Sequence, residues 1–283
     1  MDEQNIDILE RIRASYYQLT VSERKVADFV LDQPEQVKFM SITQLADECG
    51  TADATISRFC RSLKLKGFNA FKIELARHIS VIPAVKQEQH DNDTTQGRCQ
   101  EVGRMAIDAI RQTMELIQPQ RVEEAVTLIE NASRVVCIGS GGSMLLATTL
   151  AQLFSTVTAK FQAVSDSHMQ MSTVATMGKE DIIILFSYSG ATNVGLQILE
   201  LARARGIKTI LVTRFSKSPA ASLANVVLLC GSNEGPFQLG SVPAKVAQMM
   251  VMDALFQEYL YRNRASCEEN IENIAAALSD MHV

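Results

Sequence analysis

The sequence predicts two domains, an all-α N-terminal domain followed by an α/β domain whose parallel sheet is flanked by helices. Three observations lead there. The chain is 283 residues long, more than one typical domain of roughly 100 to 200 residues requires. Up to Ile79 it reads as short helices with no strand-like run, whereas from Val135 onward short β-branched apolar runs alternate with amphipathic stretches. Between these halves the segment 81–98 is polar, carries Pro83 and reads as a linker. The domains are therefore expected at residues 1–80 and 99–283.

Composition bounds the function. Apolar residues make up 47% of the chain and charged residues 21%, the balance of a globular protein with a substantial core, which excludes disorder throughout. No apolar run approaches the ~18 residues of a membrane span, and the N-terminal stretch lacks the apolar centre of a signal peptide. A cytoplasmic protein away from the membrane is expected. The six cysteines form no C-x-x-C pair and the four histidines are dispersed, so the cysteines read as small core residues and neither metal nor cofactor is expected.

In the first domain, Ile6, Leu9, Ile12 and Tyr16 set one helical stripe, and Val26, Phe29 and Val30 set another after Ser22, read as its N-cap. Pro34 should end or restart a helix. A third helix begins after Ser41, with Ile42, Leu45 and Ala46 inward and Gly50 at its C-terminal turn. A further helix follows across residues 51–63, so the pair forms a helix-turn-helix, with Ala46 small at the crossing and Leu45, Ile56 and Leu63 holding its angle.

The exposed face of that second helix is free to enter a major groove. Asp53, Thr55, Ser57, Arg58 and Arg61 are its contact candidates, with Ser41 at the start of the preceding helix. Arg58, Arg61, Lys64, Lys66 and Lys72 suit phosphates. The net charge is −5, yet between Ala54 and Arg77 six cations face Glu74 alone, a local +5. Periodicity by itself leaves open a plain helical hairpin with a basic face.

The residues from Leu19 to Leu31, together with Met40-Ser41-Ile42, Gln44-Leu45-Ala46, Ala54-Thr55-Ile56, Arg58-Phe59-Cys60-Arg61, Gly67-Phe68 and Phe71-Lys72, resemble the RpiR-type helix-turn-helix family. The resemblance spans nearly the whole domain and implies binding to double-stranded operator DNA. Two positions depart from the family pattern. Thr51-Ala52 replaces the usual Val-Ser, so Thr51 or Asp53 is expected to cap the recognition helix, and Lys64 stands where Gly is common.

In the second domain the runs 135–138, 182–186, 209–212 and 226–229, with 161–164 as one more, predict strands covered on both faces. Two of them end in small, hydroxyl-rich loops, Gly139-Ser140-Gly141-Gly142-Ser143 and Ser187-Tyr188-Ser189-Gly190-Ala191-Thr192. Such loops at strand C-termini suit anion capture by backbone N–H groups and hydroxyls, with no lysine required. The first does not fit the dinucleotide pattern, because Met144 occupies the last glycine position.

Together the loops resemble the sugar isomerase (SIS) domain, marked by S-x-S-G-x-T, with support from Asp166-Ser167-His168, Thr213, Ser218-Pro219 and Ala247-Gln248. The resemblance implies that Ser187, Ser189, Gly190 and Thr192 hold a phosphate while Ser140 and Ser143 meet phosphate or sugar hydroxyls. Asp166, His168 and Glu234 are further effector candidates; two side chains so spaced also serve to cap a helix or line a pocket. Ala244-Lys245 replaces the regulators' usual Ser-Arg, which keeps a charge but loses the guanidinium fork.

The expectation is a non-enzymatic transcriptional regulator of carbohydrate metabolism, a homodimer or homotetramer whose operator binding responds to a phosphorylated sugar. Two alternatives stand beside it. One is a phosphosugar isomerase using His168 or Glu234 as base; the other is a regulator whose SIS domain only oligomerises.

Overall fold

A computed structural model describes residues 8–79, 94–232 and 241–279. The described residues divide into two compact units, 8–79 with 94–104 and 241, and 105–232 with 242–279.

In the first unit, α1 (Ile8–Ser15) and a 3-10 turn (Tyr16–Gln18) lead to α2 (Val21–Asp32), α3 (Pro34–Val37), α4 (Ile42–Glu48), α5 (Asp53–Ser62) and α6 (Phe68–Ile79). Ile12, Val26, Val30, Leu45, Ile56, Phe59, Phe71 and Leu75 close one core; Ile6 lies outside the described residues. The cap of α2 is Thr20 rather than Ser22. Its hydroxyl accepts from the Glu23 amide while the Glu23 carboxylate accepts from the Thr20 amide, a reciprocal capping box. Ser41 and Gln44 build the same device on α4.

The ends of α4 and α5 repeat one motif. Gly50 has φ +59 and is followed by the Thr51 amide donating back to the Ala46 carbonyl, 2.8 Å. Lys64 has φ +58 and is followed by the Leu65 amide donating to the Cys60 carbonyl, 2.9 Å. Both are left-handed terminations in which the chain folds back on its helix.

The next helix, α7 (Thr95–Leu116), corrects the expected linker. Residues 81–93 lie outside the described residues, and 95–98 are helical. The polar residues there serve the helix start, with the Thr94 hydroxyl accepting from the Gly97 amide, 3.0 Å.

The second unit continues with α8 (Pro119–Asn131), β1 (Arg134–Gly139), α9 (Gly142–Ser155), β2 (Phe161–Ala163), α10 (Ser167–Thr176), β3 (Asp181–Phe186), α11 (Asn193–Arg205), β4 (Lys208–Thr213), β5 (Val226–Leu229), α12 (Val242–Arg262) and α13 (Arg264–Leu278). All five expected strands form, parallel, in the order β2-β1-β3-β4-β5. Alternate strand residues feed opposite cores. Val135, Cys137, Ile184 and Val212 pack with α8, α9 and α12, whereas Val136, Ile138, Ile183 and Leu211 pack with α10 and α11. Burial on both faces explains the unbroken apolar runs.

Candidate functional site

β1 and β3 are neighbours, but the chain leaves β1 toward β2 and leaves β3 toward β4, on opposite sides. This reversal is the switch point at which open α/β sheets form a crevice. Register pairs Gly139 with Phe186, so the glycine loop and the serine loop emerge side by side. Each enters a helix at its N-terminus, α9 through Gly141 and α11 through Thr192. Neither helix has a side-chain cap, so the positive end of each helix dipole faces the loops; at α9 the Ser143 and Met144 amides donate to the Ser140 and Gly141 carbonyls.

The glycine loop is shaped by contact. A Cβ on Gly139 would lie 2.6 Å from the Ser143 carbonyl group, so a side chain there would force the turn open. The Ser140 carbonyl accepts from the Ser143 amide, 3.1 Å. Ser140 is exposed and Ser143 half-buried. From β2's side, buried Gln170 on α10 spans both strand ends, its amide nitrogen donating to the Gly139 carbonyl (2.9 Å) and the Val164 carbonyl (2.8 Å).

In the serine loop the Ser187 and Thr192 hydroxyls are hydrogen-bonded, 3.0 Å, and the Ser189 hydroxyl accepts from the Ala191 amide, 3.3 Å. Gly190 has φ +60, and a Cβ there would sit 2.2 Å from the Ser218 hydroxyl oxygen. The turn thus requires glycine twice over. Ser187 is buried whereas Ser189 and Thr192 are exposed, so the loop presents hydroxyls at its rim above a fixed base.

Asp166 caps α10, its carboxylate accepting from the Met169 amide at 2.9 Å. His168 is exposed on that helix's first turn. Glu234 lies outside the described residues. Ala244 is buried in α12, where its carbonyl accepts from Gln248 at 3.1 Å; Lys245 is half-buried. Among the described residues no group of three or more His, Cys, Asp or Glu could hold a metal.

In the first unit, α5 and the turn after it carry their cations outward. Arg58, Arg61, Lys64 and Lys66 are exposed and Ser57 half-exposed. Asp53 accepts from the Thr43 hydroxyl at 2.9 Å, joining α4 to α5. Lys72 is half-buried; its amine donates to the Met40 carbonyl at 3.1 Å and lies over the Phe68 ring. Thr55 is corrected: only 5% exposed, it belongs to the inward stripe with Ile56, Phe59 and Cys60, and its hydroxyl accepts from Arg58 at 3.2 Å. The Ser41 side chain, also 5% exposed, is spent on its capping box. Neither Thr51 nor Asp53 caps α5, whose N-cap Ala52 has no side-chain bond; the Thr51 hydroxyl is buried without a partner.

One arrangement was missed in the sequence. Glu23 on α2 is 5% exposed and accepts from the Ser62 hydroxyl of α5 at 2.9 Å. Burial pushes its carboxyl up, but the Thr20 and Ser62 bonds and the Arg58 charge overcome this and hold it below the usual carboxylate range. The pattern Thr20-x-x-Glu23 was the available signal.

Comparison with known proteins decides what this architecture is. Residues 6–81 match the helix-turn-helix domain of the rpiR family, and residues 128–257 match the SIS domain. An uncharacterized HTH-type transcriptional regulator of Providencia stuartii is 30% identical over 244 residues, covering 84% of this chain and 86% of that protein. The chain belongs to the RpiR family of helix-turn-helix transcriptional regulators. Another such regulator, from Caldanaerobacter subterraneus, is 29% identical over 96% of this chain and 97% of its own length. Among solved structures, the Vibrio vulnificus NanR protein complexed with ManNAc-6P is 25% identical, with a TM-score of 0.87, over 97% of this chain and 99% of that one. As an RpiR-family protein, the chain is a transcriptional regulator carrying a SIS domain, and no helix among the described residues is long and apolar enough to cross a membrane.

Proposed function

We propose that this regulator binds operator DNA through the exposed face of α5 and adjusts that binding when a phosphorylated sugar occupies the crevice between the two loops. The supporting observation is the switch point itself: two helix N-termini without side-chain caps, and two loops carrying Ser140, Ser143, Ser187, Ser189 and Thr192, stand at the C-terminal ends of the adjacent strands β1 and β3. That is a dianion's environment, built from oriented dipoles and neutral donors. The second loop supplies Gly190 for close backbone approach. The ligand class is a sugar monophosphate, and the Vibrio vulnificus NanR likeness makes ManNAc-6P the first one to test.

On the DNA side, Ser57, Arg58 and Arg61 face the duplex, with Lys64 and Lys66 at its phosphates. A homodimer or homotetramer supplies the paired half-site contacts a helix-turn-helix protein uses. The regulator reading, without catalysis, is tested by incubating the protein with sugar phosphates at enzymatic concentrations. A thermal-shift panel then tests binding, since a ligand at 100 times its Kd stabilises by about 2.7 kcal/mol. No shift with any sugar phosphate contradicts the crevice assignment, and turnover contradicts the regulator assignment.

A further inference from the structure

Tyr188 sits inside the serine loop yet points away from the work of its neighbours. Its phenol donates to the Ser232 carbonyl at 2.9 Å. Its own carbonyl accepts from the Thr213 hydroxyl and the Arg214 amide, each at 3.0 Å. Arg214 closes the triangle, its Nε donating to the same Ser232 carbonyl at 3.0 Å. The loops after β3 and β4 therefore share one acceptor.

That acceptor belongs to an unusual pair of peptides. Ser232 is buried and has φ +77, a left-handed conformation that an L side chain rarely adopts. Its amide donates to the Gln112 carboxamide on α7 at 3.1 Å. The Gly231 amide donates to the Thr113 hydroxyl at 2.9 Å, and fully buried Thr113 donates onward to the Ala109 carbonyl at 2.7 Å. A Cβ on Gly231 would come within 2.7 Å of the Ala109 carbonyl and the Thr113 amide, so the segment lies directly on the helix backbone.

We propose that Tyr188, Ser232 and Gln112 form a link through which occupancy of the serine loop is read by α7, whose residues from 105 onward open the second unit in chain order. This rests on the effector reading above. A strained residue persists only while its surroundings over-determine it. Ser232 is held from one side by Tyr188 and Arg214 and from the other by Gln112. A phosphate drawn onto Ser187, Ser189 and the α11 N-terminus reorients the peptides flanking Tyr188. The phenol moves with them, the hold on Ser232 changes, and the Gln112 and Thr113 bonds transmit the change to α7. Coupling of this kind requires the segment to take a second arrangement when the serine loop is occupied.

The experiment uses the full chain and two variants, Gln112→Ala and Tyr188→Phe. Hydrogen exchange without ligand should rise at least about tenfold at the amides of Gly231 and Ser232 and across the last two turns of α7 in both variants, with β1 and β3 unchanged. In Gln112→Ala, ManNAc-6P affinity should stay within about threefold of wild type while the ratio of operator affinities with and without ManNAc-6P collapses to within about twofold of one. Unchanged exchange on α7 in both variants, or a full wild-type ratio in Gln112→Ala, would overturn the link. If wild type binds no sugar phosphate, the effector reading fails separately, and the exchange result still decides whether the loop and α7 are joined.

Discussion

Gly50 and Lys64 occupy equivalent places, each the first residue beyond its helix cap and each left-handed, at φ +59 and +58. Only one of them is glycine. A non-glycine residue in this conformation costs about 1–2 kcal/mol, so Lys64 is a built-in weakness at the exit of the recognition helix.

Lys64→Gly is therefore expected to stabilise the protein by about 1 kcal/mol in chemical unfolding. On the proposed DNA-binding face the same change also removes a cation. It should lower the slope of log K against log salt by about 0.9. Lower stability in the variant would contradict the backbone account, and an unchanged salt slope would remove Lys64 from the interface.

Glu23 ties the start of α2 to the end of α5. Because its carboxyl is held below the ordinary range, the ionised form is the stabilising one. Its contribution is full above the unfolded-state value near 4.3 and is lost as pH falls through the folded value. Glu23→Gln should cost about 1–2 kcal/mol at pH 7, with wild type and variant converging as pH falls through the lowered folded-state value. A gap that persists into acid would point to packing rather than charge.

Arg58 is exposed on α5 and braced by the Thr55 hydroxyl beneath it. Arg58→Ala should weaken operator binding about tenfold in a gel-shift titration at moderate salt. Unchanged affinity would move the docking face elsewhere.

Gly190 has neither the backbone nor the space for a side chain, with Ser218 filling the position a Cβ would take. Gly190→Ala should lose about 2 kcal/mol of stability and abolish any thermal shift with sugar phosphate. Gly178→Ala is the control, since a Cβ there meets nothing within 4 Å. Equal behaviour of the two variants would contradict the loop's steric account.

Five of the six cysteines are buried and Cys99 is exposed on α7, against the expectation that all are core residues. Burial pushes Cys49 up to about 11 and Cys60 up to about 12, and raises Cys137 further in the same direction. A thiol reagent at pH 8 should modify one cysteine quickly in the native protein, and Cys99→Ser should remove that phase. Fast labelling that survives the substitution would mean the core opens.

Much of the fold was legible because its signals are local. β-branched runs such as Ile182 to Phe186 mark strands buried on both sides, and the serine loop stands directly after one of them. The inward stripe Thr55, Ile56, Phe59, Cys60 also follows helical spacing, and its first member, a polar residue, is buried with the rest rather than free for contact. Ser22 also suits an N-cap by residue type, but Thr20 holds the position three residues before Glu23 and forms the cap. What composition could not reveal is long-range: Thr43 engaging Asp53, Ser62 engaging Glu23, and Tyr188 reaching Ser232 across 44 positions. Such pairs exist only once the chain has closed on itself.

The most direct measurement is operator binding by the intact protein titrated with ManNAc-6P and other sugar monophosphates, alongside the reciprocal titration of sugar phosphate in the presence of operator. At least one sugar monophosphate should change operator affinity by about fivefold or more, and operator should change affinity for that ligand by the same factor. Operator binding indifferent to every sugar phosphate tried, or no binding to DNA at all, would contradict it.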